Sequence, residues 1–280
     1  MKERSRIFCR NFSLAVLAVF LFIAALPAAA EPTLLSKMEL MKQVPDDPGK
    51  VKLASFLEKG LHSYENLNDY KTLFEKKETK DGKLGEFEKI YLKFEKPFKI
   101  YMGWLNSPKK GLQVVYERGK HDGKLAIHQP GLFLGLAQVI FLNQNSPWIR
   151  EGSASYNIED AGIGTFLNDF SKAVVKAHEE NHLKVDFRED QTAEVIFDSP
   201  VKDPVYFAHR IVVKFDKESG LPLYQELYDW EDKLIGIYSY ENFQTNTGSE
   251  DPEFRKEINR RLYRVYAGSD NSEKKDRSRR

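Results

Sequence analysis

Residues 86–104 read EFEKIYLKFEKPFKIYMGW. Every second side chain is apolar: Ile90, Leu92 and Phe94, then Phe98, Ile100, Met102 and Trp104. The positions between them are polar or amphipathic, among them Lys89, Tyr91, Lys93, Glu95, Lys99 and Tyr101. Alternation with period two over such a length specifies β-structure with one apolar and one wet face. Pro97 keeps the parity but has no N–H for a ladder, so it belongs at an edge, a bulge or a bend. The stretch is therefore read as two strands, or one long bent strand, in an antiparallel sheet wrapped around an apolar interior.

The flanking segments extend the same reading. Tyr70 to Glu78 is rich in β-branched and aromatic residues and predicts the first strand. Lys80-Asp81-Gly82-Lys83 carries the Asp-Gly of a tight turn. Leu112 to Arg118 and Lys124 to His128 predict a hairpin across residues 119–123. Further strand patterns run over Leu183 to Arg188, Thr192 to Asp198, Val205 to Asp216, Leu221 to Trp230 and Leu234 to Phe243, joined by short polar turns. Such spacing specifies antiparallel hairpins rather than crossover units.

Helical periodicity appears at four places. Leu34, Met38 and Met41 form a short stripe, and Leu53, Phe56, Leu57, Leu61 and Tyr64 a longer one. The strongest pattern is Ile163 to Asn181, with Ile163, Phe166, Leu167, Phe170, Val174 and Ala177 on one face. Near the end, Asp251-Pro252 announces a helix with an acidic cap and proline at its first position. Phe254, Ile258, Leu262 and Val265 give it an apolar stripe. Gly131 to Asn143 is apolar at nearly every position, so periodicity leaves strand and helix open there. The fold class is mainly β with helices (α+β): an incomplete antiparallel β-barrel or curved sheet covered by helices.

Residues 1–30 have the three parts of a secretory signal peptide: a basic start, an apolar run from Phe12 to Leu26, and Ala28-Ala29-Ala30 before Glu31. That run is shorter than the ~20 residues of a membrane span. The lone Cys9 precedes the run, so no N-terminal lipid is expected and the mature chain has no cysteine for a disulfide. Removing Lys2, Arg4, Arg6, Arg10 and Glu3 from 43 basic and 42 acidic side chains leaves 39 and 41, a net charge of −2. This balance argues against nucleic acid as a partner and against general adsorption to anionic membranes. The expected organisation is a signal peptide over 1–30, one domain over 31–267 with N- and C-terminal helices, and a disordered charged tail over 268–280.

The search for chemistry yields one motif. His178-Glu179-Glu180-Asn181-His182 matches H-E-x-x-H, in which two imidazoles on one helical face bind zinc. Here the helical pattern ends near Asn181 and Leu183 starts a strand pattern, which predicts a solvated helix end rather than a metal site. His209 falls on the apolar parity of its strand and reads as a core or barrel-lining histidine. Asp160-Ala161-Gly162-Ile163-Gly164 enters the strongest helix; its glycines suit a tight loop-to-helix entry, with anion binding as the alternative. No cofactor is implied.

The apolar surfaces are more informative. The sheet face carrying Leu92, Phe94, Ile100, Met102 and Trp104 and the helix face carrying Phe166, Leu167 and Phe170 would enclose either an apolar cavity or a packed core.

The unit Ile90 to Ile100 with its Lys96-Pro97-Phe98-Lys99, together with Asp216 to Leu223 and Tyr228-Asp229, resembles the LolA/LolB-like superfamily of periplasmic lipoprotein carriers. Asn157 to Gly164 and the following helix resemble more closely an exported bacterial family, the domain of unknown function 1571. The likeness covers roughly residues 53–266. It implies acyl chains held between sheet and helices, a periplasmic location, and lipid or acylated protein as partner. On that basis the expected function is apolar-ligand binding without catalysis. A structural or interaction protein of the envelope with a filled core is the alternative, and a zinc hydrolase resting on His178 and His182 a third reading.

Overall fold

The computed structural model describes residues 33–43, 47–80, 82–128, 139–146, 157–200 and 203–248. The signal peptide, most of Gly131 to Asn143, the C-terminal helix and the charged tail expected from the sequence lie outside the described residues.

Helix α1 spans Leu34–Lys42 and α2 spans Pro48–Asn66. The Asp47 side chain accepts the Lys50 amide at 3.1 Å, and Pro48 opens the helix where its missing N–H costs nothing. A meander follows: β1 Asp69–Lys80, β2 Lys83–Leu84, β3 Glu88–Glu95, β4 Lys99–Trp104, β5 Gln113–Glu117, β6 Lys124–His128 and β7 Val139–Asn143. Helix α3 covers Ile163–Glu179. A second meander follows: β8 Leu183–Phe187, β9 Thr192–Phe197, β10 Arg210–Phe215, β11 Pro222–Tyr228 and β12 Leu234–Thr245.

All 12 strands join one antiparallel sheet in the order β7-β6-β5-β4-β3-β1-β12-β11-β10-β9-β8, with β2 paired to β1. The two meanders meet along β1 and β12, where Phe74 faces Tyr240 and Tyr70 faces Thr245. The sheet is open and curved, as an incomplete barrel requires, and not a closed barrel: among the described residues β7 and β8 end the sheet without pairing to each other.

The opening stretch is a hairpin, β3 and β4, with Ile90 opposite Trp104, Leu92 opposite Met102 and Phe94 opposite Ile100. Pro97 lies in its turn, off the ladder. One expected strand is shorter than predicted. Val205 to His209 precedes β10 as an irregular segment, because Asp203 binds the Val205 amide through its side chain and the Tyr206 amide through its carbonyl, both at 2.9 Å. The alternation at Val205 and Phe207 reflects burial without a ladder.

The helices pack mainly over the β8–β11 half. Phe56 of α2 meets Phe187 and Phe215 at centroid distances of 5.2 and 5.5 Å, and Phe170 of α3 meets Phe197 at 6.3 Å. Met38, Met41, Leu53, Leu57, Leu167 and Val174 are fully buried there. Among the described residues no helix is long and apolar enough to cross a membrane.

Candidate functional site: an apolar cavity under the helix α3

The concave faces of β3–β6 are as apolar as a core, yet α1 and α2 pack elsewhere, and α3 reaches toward them only with its N-terminal half. The result is a cavity of about 1040 Å³. Its sheet wall includes Phe74 of β1, Ile90 of β3, Met102 and Trp104 of β4, Val114 of β5 and Ile127 of β6. Leu227, Tyr238 and Tyr240 continue the wall across the seam onto β11 and β12. Gly162, Thr165 and Phe166 bring α3 over it, with Val205 and Phe207 on the far rim.

The entry into α3 is fixed from below. Gly162 has φ of 111°, and a Cβ there would stand 2.9 Å from the Tyr70 hydroxyl. That hydroxyl faces the otherwise uncapped Ile163 amide at 3.4 Å. A side chain at 162 would be both strained and obstructed, so glycine is required at the helix entry.

Of the residues singled out from the sequence, Met102, Trp104 and Phe166 line the cavity. Leu92, Phe94, Ile100, Leu167 and Phe170 are buried but are not among the lining residues. The division follows position along the strands. Toward the β3–β4 turn the inward face is closed by aromatic packing: Phe94 stacks on Tyr70 at 5.1 Å and meets Phe98 at 5.4 Å. Away from the turn, at Ile90 and Trp104, the same face opens into the cavity.

Charged side chains punctuate the wall: Lys76, Glu78, Lys109, Asp160, Asp169 and Lys172. Glu88 accepts the Trp104 indole N–H at 2.7 Å and pairs with Lys109 at 2.6 Å. Burial alone would raise this carboxyl. The Lys109 hydrogen bond, the charge of Lys76 and the indole N–H outweigh burial and hold it below the ordinary glutamate range. Beside it Lys76 pairs with Glu78 at 2.7 Å, and Glu78 accepts the Tyr238 hydroxyl at 3.0 Å. Near the other end, Glu159 accepts the Tyr116 hydroxyl and pairs with Arg118 at 3.1 Å. Burial first, then Glu159, pushes the Tyr116 phenol up to about 12. The lining charges balance, Lys76, Lys109 and Lys172 against Glu78, Asp160 and Asp169, so the cavity is a mainly apolar space with a rim of mixed charge.

The histidine motif has a different geometry. Helix α3 ends at Glu179, and Asn181 turns left-handed with φ of 60°. The His182 amide then binds back to the Ala177 carbonyl at 2.8 Å, a helix-terminating turn. His182 thus leaves the helix that carries His178, and Glu179 pairs with Lys37 at 2.9 Å. Among the described residues no group of three or more His, Cys, Asp or Glu can hold a metal ion. His209 is half-buried beside Trp230, at a centroid distance of 6.1 Å, and lies outside the cavity. Arg210 lies over the Tyr228 ring at 3.6 Å and pairs with Asp232 and Glu194.

The family model described as "Protein of unknown function (DUF1571)" matches residues 67–263. No curated protein matches the sequence. Similar solved structures include a DUF1329 family protein from Desulfovibrio piger (13% identity, 74% of this chain and 97% of that one, TM-score 0.35). A LolA superfamily protein from Nitrosomonas europaea is similar at 9% identity over 68% of this chain and 91% of that one, TM-score 0.32. The MucA/MucB complex from Pseudomonas aeruginosa is similar at 11% identity over 72% of this chain and 60% of that one, TM-score 0.40.

Proposed function

We propose that this chain, which belongs to the DUF1571 family, is an exported carrier-like protein that holds a lipid or the acyl chain of a lipidated protein and catalyses no reaction. Residues 1–30 would direct export to the periplasm, 31–267 would form the binding domain, and 268–280 a charged tail.

The cavity carries this reading. Ligand pockets span roughly 300–1,000 Å³ and are lined mainly by apolar and aromatic side chains. At 1040 Å³ this one matches the upper end. Walls of Phe74, Ile90, Met102, Val114 and Ile127 offer water few partners, whereas they suit methylene chains, each buried CH₂ contributing ~0.8 kcal/mol. The ion pairs Glu88–Lys109 and Lys76–Glu78 would meet the polar end of an amphiphile.

The test is extraction of the purified protein and mass spectrometry of what it carries, with titration of a fluorescent fatty acid. Bound lipid and saturable probe binding, weakened by the cavity-filling Val114→Phe, are expected. A protein that carries no lipid and binds no apolar probe would overturn the proposal.

A further inference from the structure

We propose that Tyr240 and Gln225 form a hydrogen-bonding site inside the cavity for the carbonyl group of an acyl linkage, the ester or amide that joins a fatty chain to its headgroup. The proposal rests on the apolar-ligand reading of the cavity and names the chemical class of what it holds.

Both residues line the cavity, and both are deep in it. Gln225 is 2% exposed and Tyr240 6%. The charged lining is wetter, the side chains of Lys76, Lys109 and Lys172 being 12%, 22% and 55% exposed. Buried polar groups in folded proteins are almost always hydrogen-bonded. These two keep unused capacity. Gln225 donates one amide N–H to the Pro222 carbonyl at 2.7 Å. Among the described residues its second N–H and its carbonyl oxygen have no partner. The Tyr240 ring packs against Phe74 at 4.9 Å and Phe243 at 6.4 Å, and among the described residues its hydroxyl has no partner. Two neighbouring tyrosines differ. The Tyr238 hydroxyl donates to Glu78 at 3.0 Å, and the Tyr70 hydroxyl accepts the Ile163 amide at 3.4 Å.

The register brings the two groups together. Gln225 pairs with Tyr238, so Tyr240 is its diagonal neighbour on the same face, a relation in which long side chains meet. Tyr224 pairs with Ser239, so Tyr240 lies toward the Pro222 end of β11. The Gln225 amide leans that way to reach the Pro222 carbonyl.

The donors define the ligand. Burial, then the neighbouring Tyr64, holds the Tyr240 phenol well above its ordinary value, so it is a neutral donor. The free N–H of Gln225 is a second. Two uncharged donors suit a neutral carbonyl oxygen. An ionised carboxylate calls for a free cation at this depth. Lys76, opposite Tyr238 in register, is already paired with Glu78 at 2.7 Å. A bare hydrocarbon would leave both donors unmatched. With the carbonyl held here, the wall of Ile90, Met102, Val114 and Ile127 receives the chain, and the charged rim receives the headgroup.

Palmitoyl-lysophosphatidylcholine and its hexadecyl ether analogue share a headgroup and a chain length and differ by one carbonyl. Both are titrated calorimetrically into delipidated full-length protein, below the concentration at which they form micelles. The parent is expected to bind the ester about five- to tenfold more tightly than the ether, and Tyr240→Phe to bring that ratio to about one, as for the loss of one neutral hydrogen bond. Equal affinities in the parent, as when a water molecule occupies the site, would overturn the proposal. So would a ratio unchanged in Tyr240→Phe. Either result leaves the apolar-ligand reading standing, whereas binding of neither probe overturns both. The thermal stability of the delipidated variant should not fall, since no partner is lost; a clear fall would reveal an internal partner for the hydroxyl and overturn the proposal. An N-palmitoyl peptide separates the two sources of the carbonyl. Weaker binding to the variant extends the site to the amide-linked chains of lipidated proteins. Unchanged binding confines it to glycerolipid esters and overturns the amide half of the proposal.

Discussion

Gly60 and Gly220 meet backbone to backbone. A Cβ on Gly60 would lie 2.5 Å from the Gly220 carbonyl oxygen, and one on Gly220 would lie 2.7 Å from the Gly60 nitrogen. Gly60 is inside α2, whereas Gly220, with φ of 70°, closes the β10–β11 turn that Asp216 organises through the Ser219 amide and hydroxyl at 2.7 and 2.6 Å. The contact sets how closely the helix layer lies on the sheet.

Gly60→Ala separates two opposed effects. In an open helix it would add about 1 kcal/mol of stability. Here backbone blocks the new methyl and cannot swing aside, so a net loss of about 1–3 kcal/mol is expected. Urea unfolding measures it; a gain in stability would show that α2 is free to shift.

Phe170 and Phe166, one turn apart in α3 with rings 5.3 Å between centroids, should behave differently. Phe170 is fully buried, so Phe170→Ala should cost ~3–5 kcal/mol. Phe166 faces the cavity, where its ring has fewer protein atoms to lose. Phe166→Ala should cost clearly less and should change fatty-acid affinity more. Equal costs with unchanged affinity would move Phe166 out of the binding wall.

Glu88 predicts an acid dependence. A carboxyl held below its ordinary value stabilises the fold above the unfolded-state value of ~4.3, and that contribution disappears as pH falls through the lower folded value. Glu88→Gln keeps an acceptor for Trp104 but loses the charge that Lys109 needs. The variant should be less stable than the parent at pH 7, and the gap should shrink below about pH 4. A gap independent of pH would assign the effect to packing.

His178→Ala and His182→Ala, alone or together, should shift unfolding by less than about 1 kcal/mol and leave apolar-probe binding unchanged, as expected at a helix end. Burial, followed by the charge of Lys50, holds the His178 imidazole below its ordinary value. Stoichiometric zinc in protein purified without added metal, lost in either variant, would overturn this.

The strands and helices were legible because each has a strong local period. The β3–β4 alternation, the α3 stripe and the Leu53, Phe56, Leu57, Leu61 and Tyr64 stripe of α2 require no distant information. The β1–β12 pairing was not legible, since nothing local in Phe74 tells it to face Tyr240. The part of the cavity wall on β11 and β12 depends on that pairing, which is why Tyr238, Tyr240 and Leu227 were missed although their strands were recognised. Parity found the inward face of β3 and β4 but could not divide it. Whether Phe94 is packed and Trp104 opens into space depends on where α2 and α3 stop, and that is set by tertiary contacts such as Gly60 with Gly220. Val205 and Phe207 show the converse error, an alternating pattern without a ladder because the Asp203 turn binds the backbone first.

The strand order also dictates an order of assembly. Apart from the seam, neighbouring strands are close in sequence and can zip as hairpins on microsecond timescales. The seam joins residues more than about 150 positions apart. Its loop-closure cost exceeds a hairpin's by roughly 3 kcal/mol on the logarithmic length scale. A chain emerging from its N-terminus therefore holds β1 as an open edge until β12, the last of the described strands, arrives, and β11 is the matching edge on the second meander. Exposed edges template wrong partners. The nascent protein thus has a defined interval of vulnerability that ends only with residues 234–245, and shortening the chain to before Leu234 would make that interval permanent.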